Sequence, residues 1–281
     1  MKTLVSKLWM VTMSRKKTKS LKPVNYNAGN IKWYQRELLA EIREMNDDVK
    51  RQVLDIIRDN PLSEGSALAM DANLVQRVKR TLDALARKWV DRFINKAFPI
   101  SDDLVKKTES AIERGLLASA RKESLTINMQ WTTAMSKKVD AIIAENVSLI
   151  RSIPEKYFTE VEGMVYRAVA TGGDRKKLAD EIEASFGKRH GITRRRAEFI
   201  ARDQTRKATS ALSAARQQAA GIVEGEWVHS GGGHKPRQSH VKAGKERKRF
   251  KLSEGCLIDG EYIMPGQLPN CGCTWKPVLP F

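Results

Sequence analysis

From Ile31 onward, apolar residues recur every three or four positions: Leu38, Ile42, Met45, Val49, Val53 and Ile56/Ile57. That is the period of one buried helix face. Asn60-Pro61 marks the end of the run, because the residue before a proline is pushed out of the helical region. A second stripe over 66–97 uses Leu74, Val78, Leu82, Leu85, Trp89 and Phe93. Phe98-Pro99 is expected to stop it, and Ser101-Asp102-Asp103 to cap a third helix over 102–122. Met135, Val139, Ile142/Ile143 and Val147 predict a fourth helix over 132–151, broken at Pro154. Tyr157, Phe158, Val161, Val165 and Val169 predict a fifth over 155–170. A short helix then carries Leu178, Ile182 and Phe186, and Gly187–Gly191 reads as a linker.

After that linker Thr193 is placed to cap a longer helix with a small-residue face: Ala197, Ile200/Ala201, Thr205, Ala208, Leu212, Ala215 and Ala219. Gly221 is placed to end it. Beyond Gly221 the period falls to two. IVEGEWVHS and RKRFKL read as strands, and Asp259-Gly260 sits between two apolar trios as a hairpin turn. A final short strand is expected near Asn270–Trp275. The fold class is therefore α+β: a basic flexible arm over 1–29, a helical domain over 30–186, and over 190–281 a small module of one long helix and a short antiparallel sheet.

Charge changes this picture by its placement. The chain has 281 residues and a net charge of +18. Residues 1–22 carry seven basic side chains and no acid, whereas 23–185 carry 26 basic and 25 acidic. Residues 186–251 carry 17 basic and five acidic. Two cationic zones flank a neutral helical body, which suggests a polyanionic partner such as nucleic acid or an acidic protein surface. The candidate phosphate contacts are Arg15, Lys16, Lys17 and Lys19 in the arm, and Arg194, Arg195, Arg196, Arg202, Arg206 and Lys207 on the long helix. At a helix N-terminus these cations would oppose the macrodipole, a cost that a partner's negative charge would offset. A solvated basic face is the competing reading.

No apolar run reaches the length of a membrane span, and LWMVTM near the start is too short for a signal core. Three cysteines, Cys256, Cys271 and Cys273, do not make a disulfide framework, so a reducing compartment and an intracellular, soluble protein are expected. Cys271 and Cys273 are two apart. With Cys256 and one of His229, His234 or His240 they could supply four soft ligands for zinc. Buried free thiols are the alternative. Arg237 and His240, three apart, could act as electrophile and base on a phosphate. The nearest carboxylates in sequence lie outside that segment, so a structural His240 is the competing reading. There is no P-loop, GxGxxG, HExxH or GxSxG motif.

Taken together, the run Ile200-Ala201-Arg202-Asp203-Gln204-Thr205, then Ala219-Ala220-Gly221, Trp227, Arg237-x-x-His240-x-x-x-Gly244, Pro265-Gly266 and Pro269-Asn270-Cys271-x-Cys273 resembles the phage head morphogenesis family typified by protein F of phage Mu. Over about 80 C-terminal residues the order and spacing match. The resemblance implies a minor head protein of a tailed phage or prophage, not an enzyme. Such a protein would be a virion component at the portal vertex or capsid interior, with portal, capsid or scaffold proteins and double-stranded DNA, bound without sequence preference, as partners. A metal-dependent nuclease or toxin-type effector using His240 is the alternative.

Overall fold

The computed structural model describes residues 19–59, 67–127, 130–170, 175–232 and 235–279. The α+β class holds: four long helices precede a small antiparallel sheet region. Helix α1 (Ala28–Arg58) starts at Asn27, whose side-chain oxygen accepts from the Gly29 N–H at 2.7 Å. It ends where expected, with the Asp59 N–H on the Asp55 carbonyl. Its buried stripe is Tyr34, Leu38, Ile42, Met45, Val49, Val53 and Ile57.

The next three helices are longer than the local signals predict. Helix α2 (Ala67–Lys122) passes straight through Pro99. A proline inside a helix costs about 3 kcal/mol through a lost hydrogen bond and a ring clash. Here Trp89, Phe93, Ala97, Ile100 and Leu104 are buried in one core on both sides of the proline. Each large apolar side chain fully buried contributes roughly 1.5–3 kcal/mol, so the stripe outweighs the local penalty. Ser101 does not cap a helix; its Oγ donates to the Ala97 carbonyl at 2.7 Å within α2. Helix α3 (Thr133–Ala170) likewise runs through Pro154, with Ile150, Ile153, Tyr157 and Val161 buried on either side. Helix α4 (Arg175–Ala219) has no linker at Gly187–Gly191. Ile182, Phe186, Ala197, Ile200 and Ala201 continue one stripe across it, and Thr193 bonds back to the Arg189 carbonyl instead of capping. The end of α4 is as predicted. Gly221 takes φ +79°, and the Ile222 N–H reaches back to the Gln217 carbonyl at 2.9 Å, closing the left-handed C-terminal motif.

These helices pack α1 on α4 and α2, and α3 on α2 and α4. Polar links pin the register. The Tyr34 hydroxyl donates to Asn146 at 2.8 Å, and Asn146 reaches Gln204 at 3.3 Å, joining α1, α3 and α4. A buried Arg216–Glu109 pair at 2.7 Å ties α4 to α2.

The C-terminal module has strands β1 (Glu224–Val228), β2 (Arg249–Lys251) and β5 (Thr274–Val278) in the order β2-β1-β5, all antiparallel. Strands β3 (Cys256–Ile258) and β4 (Glu261–Ile263) form the separate hairpin. Asp259 and Gly260 take φ +53° and +84° at its turn, the left-handed pair that a two-residue hairpin demands. Helix α5 (Gln238–Lys245), which carries no predictive stripe, packs on β1.

The described part of the expected flexible arm, residues 19–29, is held in place. Leu21 donates to the Pro277 carbonyl at 3.0 Å, and the Leu279 N–H bonds the Lys19 carbonyl at 3.0 Å, so this stretch pairs with the outer edge of β5. Leu21 is buried in the module core with Trp227, Phe250, Cys256, Cys271, Cys273 and Trp275. Covering the edge in this way also removes a row of open backbone groups.

Candidate functional site

Residues 265–273 form a loop between β4 and β5, and Asp203, Arg206, Ser210, Arg237 and His240 converge on it. Asp203, on α4, accepts from the Asn270 N–H at 3.0 Å. Arg206, one turn further, reaches the Asn270 carbonyl at 3.4 Å and the Tyr26 hydroxyl at 3.3 Å, with its guanidinium over the Tyr26 ring. Ser210, another turn on, donates to the Pro265 carbonyl at 2.6 Å. The i, i+3, i+7 spacing of Asp203, Arg206 and Ser210 puts all three on one helix face. From the other side, Arg237 donates to the Pro269 carbonyl at 3.2 Å. The α4 residues and Arg237 thus grip a loop that has little regular hydrogen bonding of its own.

His240 enters the loop from α5. It is buried at 3% exposure. Its Nδ1 lies 3.5 Å from Cys271 Sγ and 3.8 Å from Cys273 Sγ. Trp227, from β1, packs edge-on against the imidazole with ring centroids 5.1 Å apart. Gly244 lets α5 approach this closely, since a Cβ there would sit 2.6 Å from His229 Cβ. The turn at Gly266, with φ +85°, aims its N–H at Cys271 Sγ at 3.4 Å.

The three cysteines have different chemistry. Burial pushes the Cys256 thiol up, as for an inert core sulfur. Cys271 is brought down, chiefly by the hydrogen bond from the Cys273 thiol, against the opposing effect of burial. Cys273 is pushed up by the same shared proton and by burial. The pair therefore holds its last proton tightly between two sulfurs.

The structure brings together His240, Cys271 and Cys273, whose ligand atoms lie within 4.8 Å of one another. It does not bring Cys256 to them; that residue sits in β3, in the apolar core, outside the group. The expected four-ligand set is corrected accordingly. His229 accepts from the Gly231 N–H through its own Nδ1, and His234 lies outside the described residues.

The predicted phosphate contacts are dispersed. Arg15, Lys16 and Lys17 lie outside the described residues, and Lys19 is exposed beside β5. Arg194 and Arg195 are exposed, the former paired with Glu198 at 2.9 Å. Arg196 bonds Ser152 at 2.9 Å, and Arg202 is half-buried. Lys207 pairs with Glu145 at 3.1 Å and Asp203 at 3.4 Å. The candidate contacts from Arg194 to Lys207 lie well inside α4 (Arg175–Ala219), so the conflict expected between them and its macrodipole does not arise. Sequence reasoning missed Ser210 as a holder of the loop and Tyr26 as a support for Arg206, and read Asp203 only as part of a run. Their partners lie 55 to 180 residues away, and no local pattern signals them.

Comparison with known proteins extends the resemblance read from the motifs. Residues 159–276 match the family model of the Phage Mu protein F like proteins, from the last turns of α3 into β5. An uncharacterized protein of Haemophilus influenzae strain Rd is 27% identical over 268 residues, 94% of this chain. The chain spans 56% of that relative's length. No solved structure matches.

Proposed function

We infer that the protein is a minor head component of a tailed phage or prophage, acting in head assembly without catalysing a reaction. The observation that carries this is the match to Phage Mu protein F like proteins over 159–276, joined to what its motif residues do. Asp203 and Arg237 hold a loop by backbone groups, and His240 faces sulfur inside a core. Among the described residues no carboxylate joins His240, Cys271 and Cys273, so the donor set suits neither a magnesium nuclease nor a hydrolytic base. The helical body is the docking part for portal or capsid protein. The exposed Arg194 and Arg195, with the basic N-terminal segment, contact packaged double-stranded DNA through phosphates. The protein's place is then the capsid interior or portal vertex. Among the described residues no helix is long and apolar enough to cross a membrane.

Electrophoretic mobility shifts with unrelated duplexes test the DNA contact. Affinity should fall steeply as salt rises and show no sequence preference, because the contact is counterion release from phosphate. Arg194→Ala with Arg195→Ala should weaken it uniformly. Binding that ignores salt, or none, overturns the DNA contact. Retention on purified portal protein without DNA retention would then favour an adaptor for an acidic protein surface. That reading draws on the internal pairing of Arg194 and Lys207. Plasmid cleavage that needs divalent metal and is lost in His240→Ala would overturn the non-enzymatic assignment.

A further inference from the structure

We propose that His240 Nδ1, Cys271 Sγ and Cys273 Sγ bind a zinc ion that staples helix α5 to the loop before β5. This does not rest on the assembly reading. The geometry is that of a tetrahedral site before the ion is placed. Zinc–nitrogen bonds of about 2.0–2.1 Å and zinc–sulfur bonds of about 2.3 Å put tetrahedral nitrogen–sulfur edges at about 3.5 Å. The Nδ1–sulfur separations are 3.5 and 3.8 Å, and all three ligand atoms lie within 4.8 Å of one another.

The donor set selects the metal. Two thiolates and an imidazole with no carboxylate match a soft or borderline ion and not magnesium or calcium. Each ligand is at least nine-tenths buried. A donor that favours ionised sulfur faces the pair: the Gly266 N–H points at Cys271 Sγ at 3.4 Å. The Trp227 indole N–H has no hydrogen-bond partner although its residue is 1% exposed. Trp227 also fixes the ring plane of His240, the usual task of groups just outside a metal's ligands. Cys256 supplies the internal control: equally buried in the same core, it faces no imidazole and no second thiol in such a group. Among the described residues no fourth His, Cys, Asp or Glu joins the three.

The test is elemental analysis of the full chain, made without a histidine tag, with about one zinc per chain expected. Zinc should be lost in His240→Asn, Cys271→Ser and Cys273→Ser, and kept in Cys256→Ser. Cobalt replacement should give the visible bands of a tetrahedral thiolate site. Because ligand variants could fail to fold, a second measurement uses the unaltered protein. Chelation should open Cys271 and Cys273 to alkylation, re-added zinc should close them, and Cys256 should stay unreactive throughout. No zinc or cobalt uptake, metal retained in both the Cys271→Ser and Cys273→Ser variants, thiol reactivity indifferent to zinc, or a Cys271–Cys273 disulfide in freshly purified protein would each overturn the proposal.

Discussion

In the helical body the stripe from Trp89 through Phe93, Ala97 and Ile100 to Leu104 runs past Pro99 without a gap. In the C-terminal module the loop 265–273 is placed by isolated bonds from Asp203, Arg206, Ser210 and Arg237, each to one backbone group. The first arrangement is redundant: no single contact decides where the helix goes, and a locally unfavourable residue is carried along by its neighbours. The second is specific: each bond has one donor and one acceptor, and a lost partner leaves a backbone group unmet. A packing surface with latitude suits an element that docks to something large. A loop fixed from several directions suits a preorganised point contact or a bound ion.

Two tryptophans put the largest test to that difference. Trp89 and Trp227 are both almost fully buried, one in each region. Trp89→Ala and Trp227→Ala should each cost about 3–5 kcal/mol in urea unfolding, the usual cost of a large aromatic deleted from a core. They should differ in a second readout. Trp227 packs on His240, so its loss should raise the alkylation rate of Cys271 and Cys273 in native buffer. Trp89→Ala should leave that rate alone. Equal thiol reactivity in the two variants would mean that the module has no independent local order.

Glycines extend the contrast to sign. Gly187 lies within α4 at a helical φ, exposed, with nothing within 4 Å of a Cβ placed there. Gly187→Ala should therefore stabilise the protein by about 1 kcal/mol, the helix-propensity difference. Gly266 holds φ +85° in the loop, where any other side chain meets its own carbonyl. Gly266→Ala should destabilise by about 1–2 kcal/mol. Thermal melts of the two variants moving in the same direction would break the comparison.

The same division explains what could be read from the residues alone. The stripes of the body were legible because periodicity is local: Leu38, Ile42, Met45 and Val49 name their own face. The helix ends inside it were not. Pro99, Pro154 and the pair Gly187 and Gly191 carry real local penalties, and only the packing of distant helices overrides them. In the module, Asp259-Gly260 was legible because a two-residue turn depends on its own φ angles. Helix α5 was not, since only His240 and Ala243 of its eight residues are buried. Leu21 read as part of a loose arm because its partners are β5 and the module core, more than 190 residues on. For the site, His240, Cys271 and Cys273 were on the page as candidates, but nothing in spacing could say that Cys256 faces elsewhere. Nor could it say that Arg237 serves the Pro269 carbonyl and not a substrate.

Asp48 is a polar point in the body of the kind the module relies on, beside the Tyr34–Asn146–Gln204 link and the Arg216–Glu109 pair, and its contribution depends on pH. Its carboxylate joins α1 to α2, accepting from Lys88 Nζ at 2.7 Å and Trp89 Nε1 at 2.9 Å, and within α1 from Gln52 at 2.9 Å. Burial works against its charge, but the hydrogen bonds from Lys88, Gln52 and Trp89 outweigh this and bring it down to about 2 from an ordinary 3.8. A carboxyl whose folded value lies below its unfolded value stabilises the fold while ionised. The contribution is therefore fully present above the unfolded value of 3.8 and is lost as pH falls through the folded value of about 2. Asp48→Asn keeps the shape and removes the titration. The stability gap between the unaltered chain and Asp48→Asn, followed by urea midpoint, should be level above about pH 4 and close between there and about pH 2. A gap that stays constant through that window would show that Lys88 and Trp89 hold the helices together without the charge of Asp48, and that this point is not of the module's kind.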